Sequence, residues 1–224
     1  MGVDDEVGVT GSVTFQVYRD TTLVADSGPV TYADAAKRLT AGLAGGQQLR
    51  LVVTDAGNGI GYDHADWANP KIACGPGPGA GAHPLSDLTW SSASNGWGPV
   101  EKDLSNGERA AGDGRALTVG GVGYAKGLGV HATSDIVYYL AGGCSTLTVD
   151  VGVDDESGNN GSVAFQVYRD GTLVADSGVV RGTGDPVHLT ADVTGGQELR
   201  LTVTNGGDTV DYDHADWGGP VLTC

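Results

Sequence analysis

Ser162-Val163-Ala164-Phe165-Gln166-Val167-Tyr168-Arg169-Asp170-Gly171-Thr172-Leu173-Val174-Ala175-Asp176-Ser177 decides the fold. Val163, Phe165 and Val167 alternate with Ala164, Gln166 and Tyr168, the period of two that marks a half-buried strand. Asp170-Gly171 then predicts a tight hairpin turn, because glycine accepts positive φ without a steric penalty. Downstream, Val187 to Val193, Glu198 to Thr204 and Trp217 to Thr223 read as further strands separated by Gly-Gly and Asn-Gly-Gly turns. Upstream, Ala116 to Val119, Gly129 to Ala132, Asp135 to Leu140 and Ser145 to Val151 read the same way, with loops at 91–115 and 120–128. Many short strands without an amphipathic helix predict an all-β fold, a two-sheet antiparallel β-sandwich or jelly roll.

The hairpin also occurs earlier in the chain. Residues 2–74 recur without a gap as 152–224, with roughly 43 of 73 positions identical. Thr21 replaces Gly171 in the first copy, which makes that turn less favourable. Residues 85–150 have no second copy. The expected organisation is therefore 1–74 as the C-terminal half of a module, a Gly/Pro linker at 75–84, and a complete module at 85–224. Cys144 lies in the unrepeated half and Cys224 closes the repeated one, so the sequence predicts a Cys144–Cys224 disulfide. Cys74 is the odd cysteine. Its expected partner falls before residue 1, as if an N-terminal half were missing, and a Cys74–Cys144 linkage would mark a permuted pairing of the halves.

The net charge of −16, from 28 acidic and 12 basic residues, opposes nucleic acid and anionic membrane surfaces as partners. No run of about 18 apolar residues is present to span a bilayer.

Five motifs then carry a resemblance: Leu88-Thr89-Trp90, Asn95 to Asp103, Lys126 to Ala132, Val151 to Glu156 and Asp213 to Trp217. In this order and spacing they resemble the NPCBM family, equivalent to carbohydrate-binding module family 51. The resemblance covers 85–224 from end to end and 2–74 as a second half. It implies a galactose-binding-like jelly roll, without catalysis of its own, that binds galactose-containing glycans. It also implies attachment to a secreted glycoside hydrolase in a longer, exported parent, and Ca2+ as a plausible structural ion.

Sugar recognition needs an aromatic face against C–H bonds and a few polar groups for hydroxyls. Trp97, between two glycines, is either that face or a loop-packing residue. His131 after a Gly-rich approach, with Lys126 beside it, is either a sugar contact or structural. Glu101 and Asp103, two apart, aim to one side if extended, or else are solvated loop acids. Asp154, Asp155 and Glu156 open a polar loop; Asp154 and Asp155 are either calcium ligands or bond loop backbone and shape the sugar pocket. His214 and Asp216 suggest an acid–base relay, but no nucleophile motif accompanies them, and a structural pair on one strand face is the favoured reading. The other functional classes are an adhesion sandwich without sugar binding and, further off, a small glycosidase.

Overall fold

The computed structural model describes residues 1–7 (the Val7 side chain excepted), 11–73, 75–107 and 109–224. It divides into two units, Met1–Cys74 and Gly75–Cys224. Cys74 lies outside the described residues, so any linkage it makes does too.

Unit 1 contains β1 (Gly2–Val3), β2 (Ser12–Arg19), β3 (Thr22–Thr31), β4 (Leu49–Thr54) and β5 (Ala65–Asp66). The strands β3-β2-β4 form one antiparallel sheet and β1-β5 a second. Val13, Phe15 and Val30 are buried as a small core, with Phe15 edge-on to Trp67 at 4.9 Å.

Unit 2 begins with β6 (Ala82–Pro84), β7 (Ser92–Ser94), β8 (Glu101–Lys102), β9 (Leu117–Val119), β10 (Val122–Tyr124), β11 (Gly127–His131) and β12 (Ser134–Tyr139). It continues with β13 (Thr146–Val153), β14 (Ser162–Arg169), β15 (Thr172–Arg181), β16 (Val187–Asp192), β17 (Glu198–Thr204) and β18 (His214–Thr223). β9 and β10 pair as a two-stranded sheet; of the two larger sheets, one runs β16-β13-β18-β11-β8 with β6 added beside β18, and the other runs β15-β14-β17-β12-β7. Both are antiparallel, and their inner faces share one core, as the alternation in β14 requires: Val163, Phe165 and Val167 are all fully buried. Phe165 meets Trp217 edge-on at 4.9 Å, and burying each such ring contributes roughly 1.5–3 kcal/mol. The Asp170-Gly171 turn has positive φ at both residues, 49° and 81°. In unit 1, Asp20 keeps φ 56° while Thr21 stays out of the left-handed region.

Several boundaries differ from those read off the sequence. Ala82–Pro84, expected in the linker, pairs with Thr223, Leu222 and Val221, and Gly81 and Cys224 exchange two backbone hydrogen bonds. The expected loops at 91–115 and 120–128 contain β7, β8, β10 and the start of β11. These strands are two to five residues long and rich in Gly and Ser, so they carry little alternation to detect. β18 starts three residues earlier than Trp217. Cys144 and Cys224 are joined by a disulfide.

Candidate functional site

Strand β18 sends Ala215 and Trp217 into the core, which puts His214 and Asp216 on the outer face of their sheet. That face is not open. Gly129 of β11 lies opposite Asp216, and a side chain on Gly129 would collide with the Leu104 carbonyl and the Asn106 amide at 2.3–2.4 Å. The 103–116 loop therefore rests on the strand only because residue 129 is glycine.

The loop is stitched in place from several sides. Ser105 donates its amide to the Arg115 carbonyl, and its hydroxyl accepts the Arg115 amide and donates to Glu156 Oε1 at 2.7 Å. Glu101, 4% exposed, accepts the Gly112 amide with both carboxylate oxygens, at 2.9 and 3.0 Å. Asp113 caps the turn through the amides of Arg109 and Ala110.

Between this loop, the 155–157 turn and the 210–214 segment lies a cleft of about 450 Å3, lined by Asn106, Asp113, Arg115, Glu156, Tyr212 and His214, among others. Its walls are polar, apart from the ring of Tyr212, which is 59% exposed and held at φ 65°. A second cleft of about 350 Å3, which Tyr212 also lines, is bounded by Asn159, Asn160, Arg181 and Asp208, among others.

Trp97 does not line the first cleft, but its loop is tied to Asn106, which does. The Asn95 amide donates to the carbonyls of Trp97, Gly98 and Pro99, and the Asn106 amide donates to those of Trp97 and Pro99. Two side chains thus cinch one tight loop, and its indole is left 51% exposed. A large ring kept in water by a rigid loop is costly unless something else covers it.

His131 is buried under this loop. Its amide donates to Asn95 Oδ1 at 2.7 Å, its carbonyl accepts the Gly96 amide, and its Nδ1 lies 2.8 Å from the Ala132 carbonyl, which places the ring proton there. Burial lowers its pKa, and the neighbouring His214 ring, edge-on at 4.9 Å, adds to that. His131 thus backs His214, which faces the cleft and contacts the Asn106 carbonyl through Nδ1 at 3.2 Å.

Other expected site residues lie elsewhere. Lys126 precedes β11 and His131 ends it, so a strand of roughly 16 Å separates them and they do not share a site. The Lys126 ammonium is held by Asp87 Oδ1 at 2.6 Å and Asp103 Oδ2 at 2.8 Å, which raise its pKa. Glu101 and Asp103 do not aim to one side. Asp103 adopts φ 62°, which breaks the extension, and its carboxylate turns to Lys126 and the Gly127 amide.

Asp154 is fully buried and caps the 155–157 turn by accepting the Glu156 amide at 2.7 Å. Asp155 accepts the Gly120 and Gly121 amides at 2.8 and 2.9 Å and fixes the β9–β10 turn. Both are engaged by backbone. Among the described residues no group of three or more His, Cys, Asp or Glu side chains is placed to hold a metal ion. Glu156 does reach the cleft, 3.9 Å from the Arg115 guanidinium.

His214 and Asp216 share a face as expected but do not bond to each other. Asp216 is fully buried; burial pushes its pKa well above the carboxylate range, and hydrogen bonding to Asp154, together with that residue's charge, adds to the rise. The residues that sequence reading missed are Asn106, Asp113, Arg115 and Tyr212. Tyr212 alone carried a signal, as the aromatic that opens the Tyr-Asp-His-Ala-Asp-Trp run common to both copies.

Comparison with known proteins adds a lineage to this geometry. The family model described as "NPCBM/NEW2 domain" matches residues 1–73 and 81–223. A protein of Renibacterium salmoninarum named "Putative endo-alpha-N-acetylgalactosaminidase" is 41% identical over 140 residues, which cover 62% of this chain and 9% of that relative. Among solved structures, CBM51 from Clostridium perfringens GH95 in complex with methyl-galactose is 38% identical, with a TM-score of 0.57 over 63% of this chain and 99% of that one. The CBM51-2 and INT domains of Clostridium perfringens ZmpB, in complex with GlcNAc, are 32% identical, with a TM-score of 0.57 over 63% of this chain and 31% of that one.

Proposed function

Because the chain belongs to the NPCBM/NEW2 domain family, we propose that residues 85–224 form a complete, non-catalytic carbohydrate-binding module for galactose-containing glycans, and that residues 1–74 are a second C-terminal half. The sugar sits in the cleft of Asn106, Arg115, Glu156, Tyr212 and His214, with the Trp97 indole against its C–H face. The observation that carries this reading is Trp97 itself, 51% exposed on a loop tied down by two asparagine amides, one of them from Asn106 of the cleft lining. A ring ordered in water before any ligand arrives gives up little side-chain entropy on binding.

The carboxylates of the cleft support binding rather than turnover. Asp113 is committed to two backbone amides and Glu156 to the Ser105 hydroxyl, so neither is an unengaged nucleophile or acid. The methyl-galactose and GlcNAc complexes of the two Clostridium relatives support a monosaccharide-sized pocket, and galactose is the ligand of the more similar one. In a longer parent the module holds a glycoside hydrolase near its glycan, and the Cys144–Cys224 bridge accords with an exported protein.

Calorimetric titration with methyl galactoside and with GlcNAc tests the reading. The galactoside binds and GlcNAc binds more weakly, and Trp97→Ala lowers galactoside affinity about tenfold, the loss of about 1.4 kcal/mol of ring stacking. An affinity that Trp97→Ala leaves unchanged, or a preference for GlcNAc, overturns it.

A further inference from the structure

The two clefts share Tyr212, and two stretches of chain, 156–162 and 208–214, contribute to the lining of both. Tyr212 is held in an uncommon way. It adopts φ 65° although it is not glycine, its carbonyl accepts the Ser157 hydroxyl at 2.8 Å, and a Cβ on Gly161 would lie 2.3 Å from the same carbonyl oxygen. The strained backbone is thus fixed from two directions while the ring stays in water.

Unit 1 separates what the fold requires here from what is added to it. Tyr62 keeps φ 65° and is 63% exposed, a Cβ on Gly11 would lie 2.2 Å from its carbonyl oxygen, and Asp63 accepts the Ser12 amide as Asp213 accepts that of Ser162. The polar side chains of the second cleft are not kept. Asn159, Arg181, Thr183, Asp208 and Asp211 stand where the first copy has Val9, Thr31, Ala33, Asn58 and Gly61. The tyrosine and its support therefore belong to the scaffold, and the polar lining of unit 2 is not needed to hold it.

That lining suits a hydroxylated ligand. Asp208 accepts the Ser162 hydroxyl at 2.7 Å and Asp211 the Thr209 hydroxyl at 2.9 Å, whereas among the described residues the side chains of Arg181 and Asn159 have no hydrogen-bond or ion-pair partner. Two carboxylates beside one guanidinium disfavour an anion, and donors and acceptors together match neutral hydroxyls. The first cleft has the same make-up, with the Arg115 guanidinium, the carboxylates of Asp113 and Glu156, and the Asn106 amide.

We propose that the second cleft is a subsite for a neutral sugar residue joined to the galactose of the same glycan, with Arg181 and Asn159 donating to its hydroxyls and the Tyr212 ring common to both sugars. It rests on the placement of galactose in the first cleft. The module then reads a disaccharide, the first cleft setting which sugar is accepted and the second which neighbour it carries.

Calorimetric titration of the 224-residue chain with methyl galactoside, lactose, galactosyl-α1,3-galactose and 3′-sialyllactose tests it. At least one of the two neutral disaccharides binds about tenfold tighter than methyl galactoside, the return of one or two further hydrogen bonds. Arg181→Thr and Asn159→Val, each bringing in the residue of the first copy, remove that gain and leave methyl galactoside affinity unchanged. Disaccharides that bind no tighter than methyl galactoside, or whose gain survives both variants, overturn the proposal. So does a gain confined to 3′-sialyllactose, which makes the ligand an acidic sugar. Disaccharide binding that both variants weaken, without any binding of methyl galactoside, supports the second cleft and overturns only the placement of galactose in the first.

Discussion

Asp216 is a carboxylic acid sealed from water. Gly129 and Gly152 flank it across the sheet, and the 103–116 loop and Val119 close over the space those glycines leave. Its carboxyl pKa is raised by burial first and by Asp154 second. The linkage sign follows: below the unfolded value of 3.8 both states are protonated and stability is whole. As pH rises from 3.8 to the raised folded value the unfolded chain ionises first and stability is lost. Asp216→Asn is therefore more stable than the parent at neutral pH, by a margin that shrinks to nothing toward pH 3.8 in denaturant titrations. Sequence reading placed Asp216 beside His214 correctly but could not supply its burial, which depends on a loop more than 100 residues away in the chain. Trp97 and His131 were conspicuous in the sequence because glycines lie close to each. Asn106 and Arg115 were not, because polar residues in a polar loop carry no periodic signal.

At the scale of elements, the long strands were legible and the short ones were not. β13, β14, β15 and β17 have enough residues to show alternation, and their extents differ from expectation by a few residues only. β7, β8 and β10 exist because neighbouring strands offer them an edge, a long-range cause invisible in three residues of local sequence. The 103–116 loop belongs here too, since it supplies one wall of the cleft and its place depends on Glu101. Glu101→Ala leaves the Gly112 amide without its partner and costs about 1–3 kcal/mol. Thermal melts measure that loss, and calorimetry shows galactoside affinity falling with it although Glu101 is not a lining residue of the cleft. Glu101→Gln, which still offers a carbonyl oxygen to Gly112, recovers most of both.

For the whole molecule, the repeat announced two related bodies, and their cores are unequal. Unit 2 joins two sheets around one core, whereas unit 1 buries only Val13, Phe15, Val17 and Val30 among its described apolar residues, with others packed at the margin. Calorimetric scanning then shows two transitions, unit 1 first. Adding a reductant lowers the second by roughly 10 °C, the effect of losing about 2–5 kcal/mol when a long closed loop is opened. A single transition, or a first transition that alone responds to reductant, contradicts this arrangement. The bridge has a mechanical side as well. Tension applied through the last residue passes from Cys224 straight into Cys144, so everything from β13 to β18 hangs in a covalent bight that bears no load. Stretched from its ends, unit 2 lengthens by only its first 70 or so residues, roughly 240 Å of extended chain, and the rest stays slack until the sulfurs part.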